Sequence, residues 1–200
     1  MIDCFISTLD RTPNRKAWTR ETLVKLSSEP DLRLTVLDAG SDVKQLAWFA
    51  ENGFVVVPQP REGSLFRRFL LAEVLAQSEF YLMGDNDCLP TSEFWLQKGL
   101  DVAASHPGYG YIVYRLEHCD FPFDHQHSDA DIRSIAKGGG LAVVRRACRK
   151  SDFRIPILFD PSNADDKQYC EAIRKSGLLV GMFEKLYVRH LGREESTVCQ

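Results

Sequence analysis

Two carboxylates stand one residue apart at the predicted end of a buried strand. The apolar segment 80–84 (Phe-Tyr-Leu-Met-Gly) runs directly into Asp85-Asn86-Asp87. Carboxylates at this spacing can ligate one hard cation, because Mg²⁺ and Mn²⁺ prefer oxygen ligands in a near-octahedral shell. In open α/β sheets, ligands bind beyond the carboxyl ends of the strands. The sequence therefore predicts a divalent cation site at Asp85 and Asp87.

The main alternative for these carboxylates is structural. Most Asp-x-Asp sequences in soluble proteins are solvated loop carboxylates, and Asp85 could instead cap the following helix. Ser92 is a better N-cap for that helix, since a serine hydroxyl readily accepts a hydrogen bond from the first helical N–H groups. The position directly after a buried strand favours the cation site.

Further acidic groups follow or open other predicted elements. The segment Asp38-Ala39-Gly40-Ser41-Asp42 ends an alternating strand, and Asp165-Asp166 opens an amphipathic helix that closes at Gly177. The helix dipole favours the charged form of a carboxyl at this position, so Asp166 is expected to be ionised at neutral pH. Plain helix capping is the alternative role for this pair.

Strands and helices alternate along the chain, which predicts an α/β fold with a mainly parallel sheet and helices on both faces. The predicted strands cover 2–7, 32–37, 54–57, 80–84, 109–116, 141–145 and 183–189; the predicted helices cover 17–27, 43–52, 65–77, 92–105 and 165–176. A polar loop is predicted for 118–131 and is a candidate binding flap. The whole chain, 1–200, is predicted to form a single domain.

Composition places the chain among globular proteins. Its 200 residues are 44% hydrophobic, and the formal net charge of −3 argues against a protein dominated by nucleic-acid binding. No apolar run reaches the length of a membrane span, and the first residues lack a signal-type core, so a cytoplasmic location is expected. The six cysteines have no Cys-x-x-Cys spacing and are expected to be free thiols.

The order of the acidic motifs resembles that of the GT-A fold nucleotide-sugar glycosyltransferases, most closely the large inverting family 2. In that family a first strand and an Asp-x-Gly-Ser cluster hold the nucleotide, and 2–10 and 38–42 stand in those places. An Asp-x-Asp motif after the fourth strand binds the metal on the diphosphate, as 85–87 would. An acidic pair then opens a helix and supplies the base, and a later histidine adds a metal ligand; 165–166 and His190 match these.

The resemblance implies an enzyme that uses Mn²⁺ or Mg²⁺ to move a sugar, expected to come from a UDP-sugar, to an acceptor hydroxyl with inversion. It implies that the acceptor is a glycan, a lipid-linked sugar or a protein. It also implies that 1–90 bind the donor and that 91–200 form the acceptor and catalytic half. The residues implied are Asp166 and Asp165 for catalysis; Thr8, Asp10, Arg11, Asp38, Ser41, Arg68, Asp85 and Asn86 for the donor; and Asp85, Asp87 and His190 for the metal.

Two positions depart from the family pattern. The family's Glu-Asp pair is Asp165-Asp166 here, which leaves open which carboxylate is the base. Alignment back from Asp85 puts Phe69 where family members often carry a donor-binding arginine, and Arg68 is the nearest candidate.

Other functions and acceptors remain open from the sequence. A sugar nucleotidyltransferase has a related fold, but the loop 9–13 lacks the glycines that such enzymes carry, and a non-catalytic nucleotide-sugar-binding module would keep the same pocket. Gly138-Gly139-Gly140 matches neither a P-loop nor a dinucleotide fingerprint, and it is either a segment on the acceptor side or a tight turn.

The densest basic stretch contains Arg145, Arg146, Arg149, Lys150 and Arg154. Such a run is usually a solvated face, but it could bind an anionic acceptor such as a phosphorylated lipid, an anionic glycan or a nucleic acid. A hydroxylated DNA base is therefore one acceptor to test, although the negative net charge weighs against it.

Overall fold

The computed structural model describes residues 1–8, 10, 12–59, 66–118, 123–146 and 165–192. Its strands are Ile2–Thr8 (β1), Leu32–Asp38 (β2), Val55–Pro58 (β3), Phe80–Asp85 (β4), Cys88–Pro90 (β5), Tyr109–Leu116 (β6), Phe123–Ser128 (β7), Ile132–Ile135 (β8), Ala142–Arg145 (β9) and Leu179–His190 (β10). Its helices are Pro13–Ser27 (α1), Val43–Glu51 (α2), Phe66–Leu75 (α3), Trp95–Ser105 (α4) and Asp165–Lys175 (α5). None of these helices is long and apolar enough to cross a membrane.

The ten strands form one sheet in the order β3-β2-β1-β4-β9-β6-β10-β8-β7, with β5 paired to β10. Seven strands point in one direction, and β5, β8 and β9 point in the other. The predicted mainly parallel sheet is therefore confirmed. Because Thr8 pairs with Asp38 and Ser7 pairs with Asp85, three strand ends meet at one edge, which we call the carboxyl edge.

Helices cover both faces of the sheet, as predicted. Crossovers between parallel strands are right-handed in nearly all folds. With the strand order β3-β2-β1-β4, this rule puts α1 and α2 on one face and α3, which returns the chain from β3 to β4, on the other. Arg20 Nε of α1 donates to Gln45 Oε1 of α2 at 3.0 Å. On the second face, Phe69 of α3 stacks on Tyr169 of α5 with the ring centroids 4.1 Å apart. The central strands are buried between these layers, which explains their near-continuous apolar sequences.

The predicted N-cap at Ser92 is wrong. Helix α4 begins at Trp95, and its N-cap residue Phe94 makes no side-chain cap hydrogen bond. Ser92 Oγ instead accepts a hydrogen bond from the backbone N–H of Tyr187 at 2.9 Å, which ties the start of this segment to β10. A distant strand thus uses the hydroxyl that the local pattern assigns to the helix.

Other boundaries and strands also differ from the prediction. Strand β10 begins at Leu179, four residues before the predicted start at 183, and β5 and β8 are strands that the prediction lacks. Helix α1 begins at Pro13, four residues early, because Pro13 suits the first helical position and Thr12 Oγ1 accepts a hydrogen bond from the Arg15 N–H at 3.3 Å. The predicted loop 118–131 contains β7, which pairs with β8. Strand β7 lies at the end of the sheet order and pairs with one strand, so its sequence can be polar. A polar sequence gives no apolar pattern from which the strand could be predicted.

The basic pair Arg145-Arg146 lies far from the carboxyl edge. Arg145 pairs with Phe80, the first residue of β4, whereas Asp85 is the last. At about 3.3 Å per residue, these positions are about 16 Å apart. Both guanidinium groups donate to backbone carbonyls of neighbouring elements, at 2.6 Å in each case. We therefore assign these two arginines a structural role; Arg149, Lys150 and Arg154 lie outside the described residues.

Candidate active site

The turn after β4 brings the Asp-x-Asp motif beside a histidine. β4 ends at Asp85, and the chain reverses through Asn86 and Asp87 into β5. β5 pairs antiparallel with β10, with Cys88 opposite His190. This pairing leaves Asp87 Oδ2 3.5 Å from His190 Nε2. Residues more than 100 positions apart in sequence thereby meet at the carboxyl edge.

Asp87 lies in an unfavourable environment for a carboxylate. Burial raises the pKa of Asp87, and the charge of Asp85 raises it further; His190 and Arg15 act in the opposite direction without cancelling the rise. Desolvation and a like charge both disfavour the ionised form. A divalent cation offsets both effects, since its charge attracts the two carboxylates.

The side chains here fit a divalent cation. One ligand atom from each of Asp87, Cys88 and His190 lies within 4.8 Å of the other two. His190 Nδ1 is buried and has no hydrogen-bond partner among the residues that the structure describes. An unsatisfied buried nitrogen is uncommon in folded proteins and marks a place for a water or another ligand. The ring nitrogen 3.5 Å from Asp87 Oδ2 is Nε2, so Nε2 is the candidate metal ligand. Asp87 and His190, two of the three residues expected to bind Mn²⁺ or Mg²⁺, belong to this cluster, and the role of Asp85 as a metal ligand stays a prediction.

The buried carboxylate of Asp10 holds the Asp-x-Asp turn in place through Asn86. Asp10 is 1% exposed and accepts hydrogen bonds from Thr19 Oγ1 at 2.7 Å and Gln45 Nε2 at 2.9 Å. Asn86 Nδ2 donates to Asp10 Oδ1 at 2.8 Å and to Thr19 Oγ1 at 2.6 Å. The network joins the turn to α1 and α2. Asn86 and Asp10 are buried, and their hydrogen bond holds the turn that carries Asp85 and Asp87. Their expected contact with the donor stays a prediction.

The titration of Asp10 gives a test of this network. Burial raises the pKa of Asp10 to about 6, against three neutral hydrogen-bond donors that lower it. Because folded Asp10 keeps its proton to a higher pH than the unfolded chain, the stability present below about pH 4 is lost as the pH rises through about 6. Asp10→Asn does not titrate, so we expect its free energy of unfolding to rise relative to wild type by about 2 kcal/mol between about pH 4 and pH 7.5.

Urea unfolding at the two pH values measures this difference. Asp31→Asn, which removes an exposed carboxyl near the start of β2, is the control and should follow wild type. If the stabilities of wild type and Asp10→Asn changed equally between the two pH values, Asp10 would not be the buried carboxylate described here.

The end of β2 carries a second acidic cluster. Thr8 Oγ1 donates to Asp38 Oδ1 at 3.0 Å, and the backbone N–H groups of Gly40 and Ser41 each donate to the Asp38 carboxylate at 3.1 Å. Ser41 Oγ is buried with no hydrogen-bond partner in the part of the chain that the structure describes. These contacts bring Thr8, Asp38 and Ser41 together at the ends of β1 and β2.

A glycine segment contacts both Asp166 and the cation cluster. A Cβ on Gly139 would lie 2.4 Å from Asp166 Oδ2, and a Cβ on Gly140 would lie 3.2 Å from Cys88 Sγ. Neighbouring Cα atoms are about 3.8 Å apart, so one short stretch of backbone touches both groups. The segment 138–140 therefore links Asp166 to the cluster around Asp87.

Helix α5 is held in place by Tyr169, which lies one turn after Asp166. Tyr169 Oη donates to Glu73 Oε1 of α3 at 3.0 Å, and its ring stacks on Phe69. Tyr81 Oη of β4 donates to the same Glu73 oxygen. Residues three apart share a helix face, so these buried contacts also set the position of Asp166.

Solved structures of glycosyltransferases share this architecture. A mannosyltransferase from Pyrobaculum calidifontis, in complex with GDP-Man and Mn²⁺, matches 94% of this chain with a TM-score of 0.66 and 16% identity. TarS 1–349 of S. aureus matches 98% with a TM-score of 0.64 and 15% identity. GalNAc-T7, with UDP, GalNAc and Mn²⁺, matches 95% with a TM-score of 0.70 and 13% identity. The chain has a GT-A fold.

The likeness is one of fold, at 13–16% identity. No family model and no curated protein matches the sequence. This chain spans 56% of the mannosyltransferase, 62% of TarS 1–349 and 43% of GalNAc-T7.

Most of the predicted site residues have a described position in this GT-A fold. The residues joined by the contacts above are Thr8, Asp10, Asp38, Ser41, Asp85, Asn86, Asp87, Asp166 and His190. Arg11 and the side chains of Arg68 and Asp165 lie outside the described residues, so their roles stay predictions.

Several residues of the site are missing from the sequence-based prediction. Arg15, in the first turn of α1, acts electrostatically on Asp87. A Cβ on Gly192 would lie 2.7 Å from Asp87 Oδ2, so that glycine leaves room for the carboxylate. The position of Arg15 shortly after the end of the first strand could have indicated a role in the site. The local sequence around Gly192 gives no such indication. Cys88, Thr19 and Gln45 complete the set.

Proposed function

We propose that this protein is a metal-dependent glycosyltransferase that moves a sugar from a nucleoside diphosphate sugar to an acceptor hydroxyl. The observation that carries this proposal is the cation cluster at Asp87 and His190, together with the glycine segment 138–140, which contacts both this cluster and the carboxylate of Asp166. GDP-Man and Mn²⁺ in the mannosyltransferase, and UDP-GlcNAc in TarS, support the donor class and the ion. A UDP-sugar is the proposed donor.

The cation site faces the leaving group in this proposal. Mn²⁺ or Mg²⁺ held by Asp85, Asp87 and His190 would stabilise the charge that develops on the diphosphate. Arg15 adds a positive charge on the same side, since it lies close enough to Asp87 to lower its pKa. The N-terminus of α1 follows the end of β1, and its backbone dipoles favour a bound anion.

The nucleoside is proposed to lie across the ends of β1 and β2. Ser41 supports this placement, because its buried hydroxyl has no hydrogen-bond partner among the described residues. Asp38 fixes the loop on which Ser41 stands. In this arrangement 1–90 form the donor half and 91–200 form the catalytic and acceptor half.

Asp166 is the proposed general base. It accepts the proton of the acceptor hydroxyl while the hydroxyl oxygen bonds to the sugar C1 and the bond between C1 and the diphosphate oxygen breaks. The base and the cation cluster both contact the segment 138–140, which supports placing them in one site. Inversion is the proposed outcome, because one carboxylate base directs the acceptor oxygen to the face opposite the leaving group. Proton NMR of the product's anomeric centre reports the configuration.

An acceptor screen tests the proposed function. The protein is incubated with Mn²⁺ and each of a panel of UDP- and GDP-sugars, with glycans, lipid-linked sugars, peptides and hydroxylated DNA as acceptors. We expect an acceptor mass increase of one sugar and release of the nucleoside diphosphate, both abolished by EDTA. Pyrophosphate release from a nucleoside triphosphate and a sugar phosphate would indicate a nucleotidyltransferase instead. Donor binding with no turnover on any acceptor would indicate a binding module.

Gly139→Ala is expected to lower transfer about 100-fold without unfolding the protein. The added Cβ would lie 2.4 Å from Asp166 Oδ2, so the carboxylate must move from its position. A displacement of about 1 Å at a reacting group is enough for a loss of this size. Initial transfer rates measure the effect, and circular dichroism verifies the fold. Gly108→Ala is the matched control, because nothing lies within 4 Å of its Cβ position. Equal rates for the two variants would contradict the assigned contact.

A further inference from the structure

Cys88 places a sulfur atom in the cation cluster. Its side chain is fully buried at the start of β5, and its Sγ lies 3.8 Å from Asp87 Oδ1. On the other side of the same carboxylate, Asp87 Oδ2 is 3.5 Å from His190 Nε2. The cluster therefore offers one oxygen, one sulfur and one nitrogen atom, all within 4.8 Å of one another.

One of these separations can be compared directly with a tetrahedral ion. Zinc binds sulfur at about 2.3 Å and nitrogen or oxygen at about 2.0–2.2 Å, which puts neighbouring ligand atoms about 3.3–3.7 Å apart. An octahedral Mg²⁺ shell puts adjacent oxygen atoms about 3 Å apart. The 3.8 Å between Cys88 Sγ and Asp87 Oδ1 is closer to the tetrahedral case. The 3.5 Å to His190 Nε2 is measured from Oδ2, the other oxygen of the same carboxylate.

The types of atom point the same way. Thiolate and imidazole ligands select Zn²⁺ over Mg²⁺ and Mn²⁺, which prefer oxygen. Gly140 gives the sulfur its space, since a Cβ there would lie 3.2 Å from Sγ.

We propose that Asp87, Cys88 and His190 form a site for a thiophilic divalent cation, Zn²⁺ or Cd²⁺, which binds in competition with Mn²⁺. Competition follows because Asp87 and His190 belong to both ligand sets. On binding, the thiol releases its proton to solvent and the thiolate bonds the metal. Under the proposed function, zinc bound at this site would hold the enzyme in an inhibited state; this last statement rests on that function, and the metal site does not.

Zinc X-ray absorption on the wild-type protein tests the site without any variant. We expect one sulfur scatterer at about 2.3 Å together with nitrogen or oxygen scatterers at about 2.0–2.1 Å. Zinc loaded at one equivalent with nitrogen and oxygen scatterers alone would overturn the proposal. A spectrum with several sulfur scatterers would overturn it as well, because one cysteine belongs to the cluster.

Cobalt and competition measurements assign the sulfur to Cys88. Co²⁺ should give a sulfur-to-metal charge-transfer band with wild type, lost in Cys88→Ser and retained in Cys4→Ser, which alters a buried thiol in β1. The ratio of the Mn²⁺ Kd to the Zn²⁺ Kd should fall at least about tenfold in Cys88→Ser. An unchanged ratio would overturn the proposal.

The two proposals fail separately in these experiments. Sulfur-bound zinc in a protein that transfers no sugar would leave the metal site standing and remove the proposed function. Sugar transfer that depends on Mn²⁺, combined with zinc bound by nitrogen and oxygen alone, would support the proposed function and overturn the sulfur-containing metal site.

Discussion

Asp166→Asn is expected to lower sugar transfer about 10³-fold while changing the donor Kd less than about twofold. Asparagine matches aspartate in shape and keeps the packing against Gly139, but its amide cannot take up the acceptor proton. Donor binding is spared because Asp166 is not among the residues proposed to bind the donor or the cation. Steady-state kcat and calorimetric donor binding measure the two quantities.

Glu171→Gln provides the matched control for Asp166→Asn. It makes the same carboxylate-to-amide change at an exposed position of α5 and should transfer sugar at the wild-type rate. If Asp166→Asn kept more than about a tenth of wild-type transfer, Asp166 would not be the base. Asp165→Asn would then be the variant to measure, since Asp165 is the other member of the acidic pair.

Asp87→Asn is expected to abolish metal-dependent transfer, with a loss greater than about 10³-fold. The amide carries no charge to bind the cation. The same change should raise the Tm in EDTA, because the Asp87 carboxylate is held beside Asp85 in a partly desolvated site that raises its pKa. Loss of activity with a gain in stability is the signature of a residue kept for function.

Thermal unfolding with and without Mn²⁺ completes this prediction. Wild type should gain Tm when Mn²⁺ is added, because a ligand that binds the folded state stabilises it, and Asp87→Asn should gain none. Asp101→Asn, at an exposed position of α4, should behave as wild type. An equal Mn²⁺-dependent gain for Asp87→Asn would place the cation elsewhere.

The strand ends of the site were predictable because each has a local cause. The apolar segment before Asp85 and the alternating segment before Asp38 have strand periodicity, and turn residues follow both. Parallel strands then bring their carboxyl ends to one edge, whatever lies between them in sequence. The pairings of Thr8 with Asp38 and of Ser7 with Asp85 show this.

The contacts that complete the site have no local cause. Cys88–Pro90 is too short to show periodicity, and it is a strand because β10 pairs with it. That pairing alone brings His190 to Asp87. The space at Gly139 depends on Asp166, which is 27 positions away in sequence, and a run of three glycines fits a turn equally well. Contacts between segments distant in sequence determine both the β5 strand and the space at Gly139, so no local pattern could predict them.

The buried hydrogen bonds of Asp10 are another case that the local pattern could not give. Asp10 follows a strand, and a solvent-facing role in ligand binding is the natural expectation for such a residue. Two helices and the Asp-x-Asp turn enclose it instead through Thr19, Gln45 and Asn86. The position of a helix over a strand end depends on crossovers and packing, which no short window of sequence contains.

Calorimetric titration of UDP and GDP, with and without Mn²⁺, tests the central claim most directly because it needs no acceptor. The account predicts that at least one nucleotide binds with Mn²⁺, and that binding weakens at least about tenfold in EDTA and in Asp87→Asn. Binding of the same strength with and without Mn²⁺, or no binding of either nucleotide, would contradict a metal-dependent nucleotide-sugar site at the carboxyl edge.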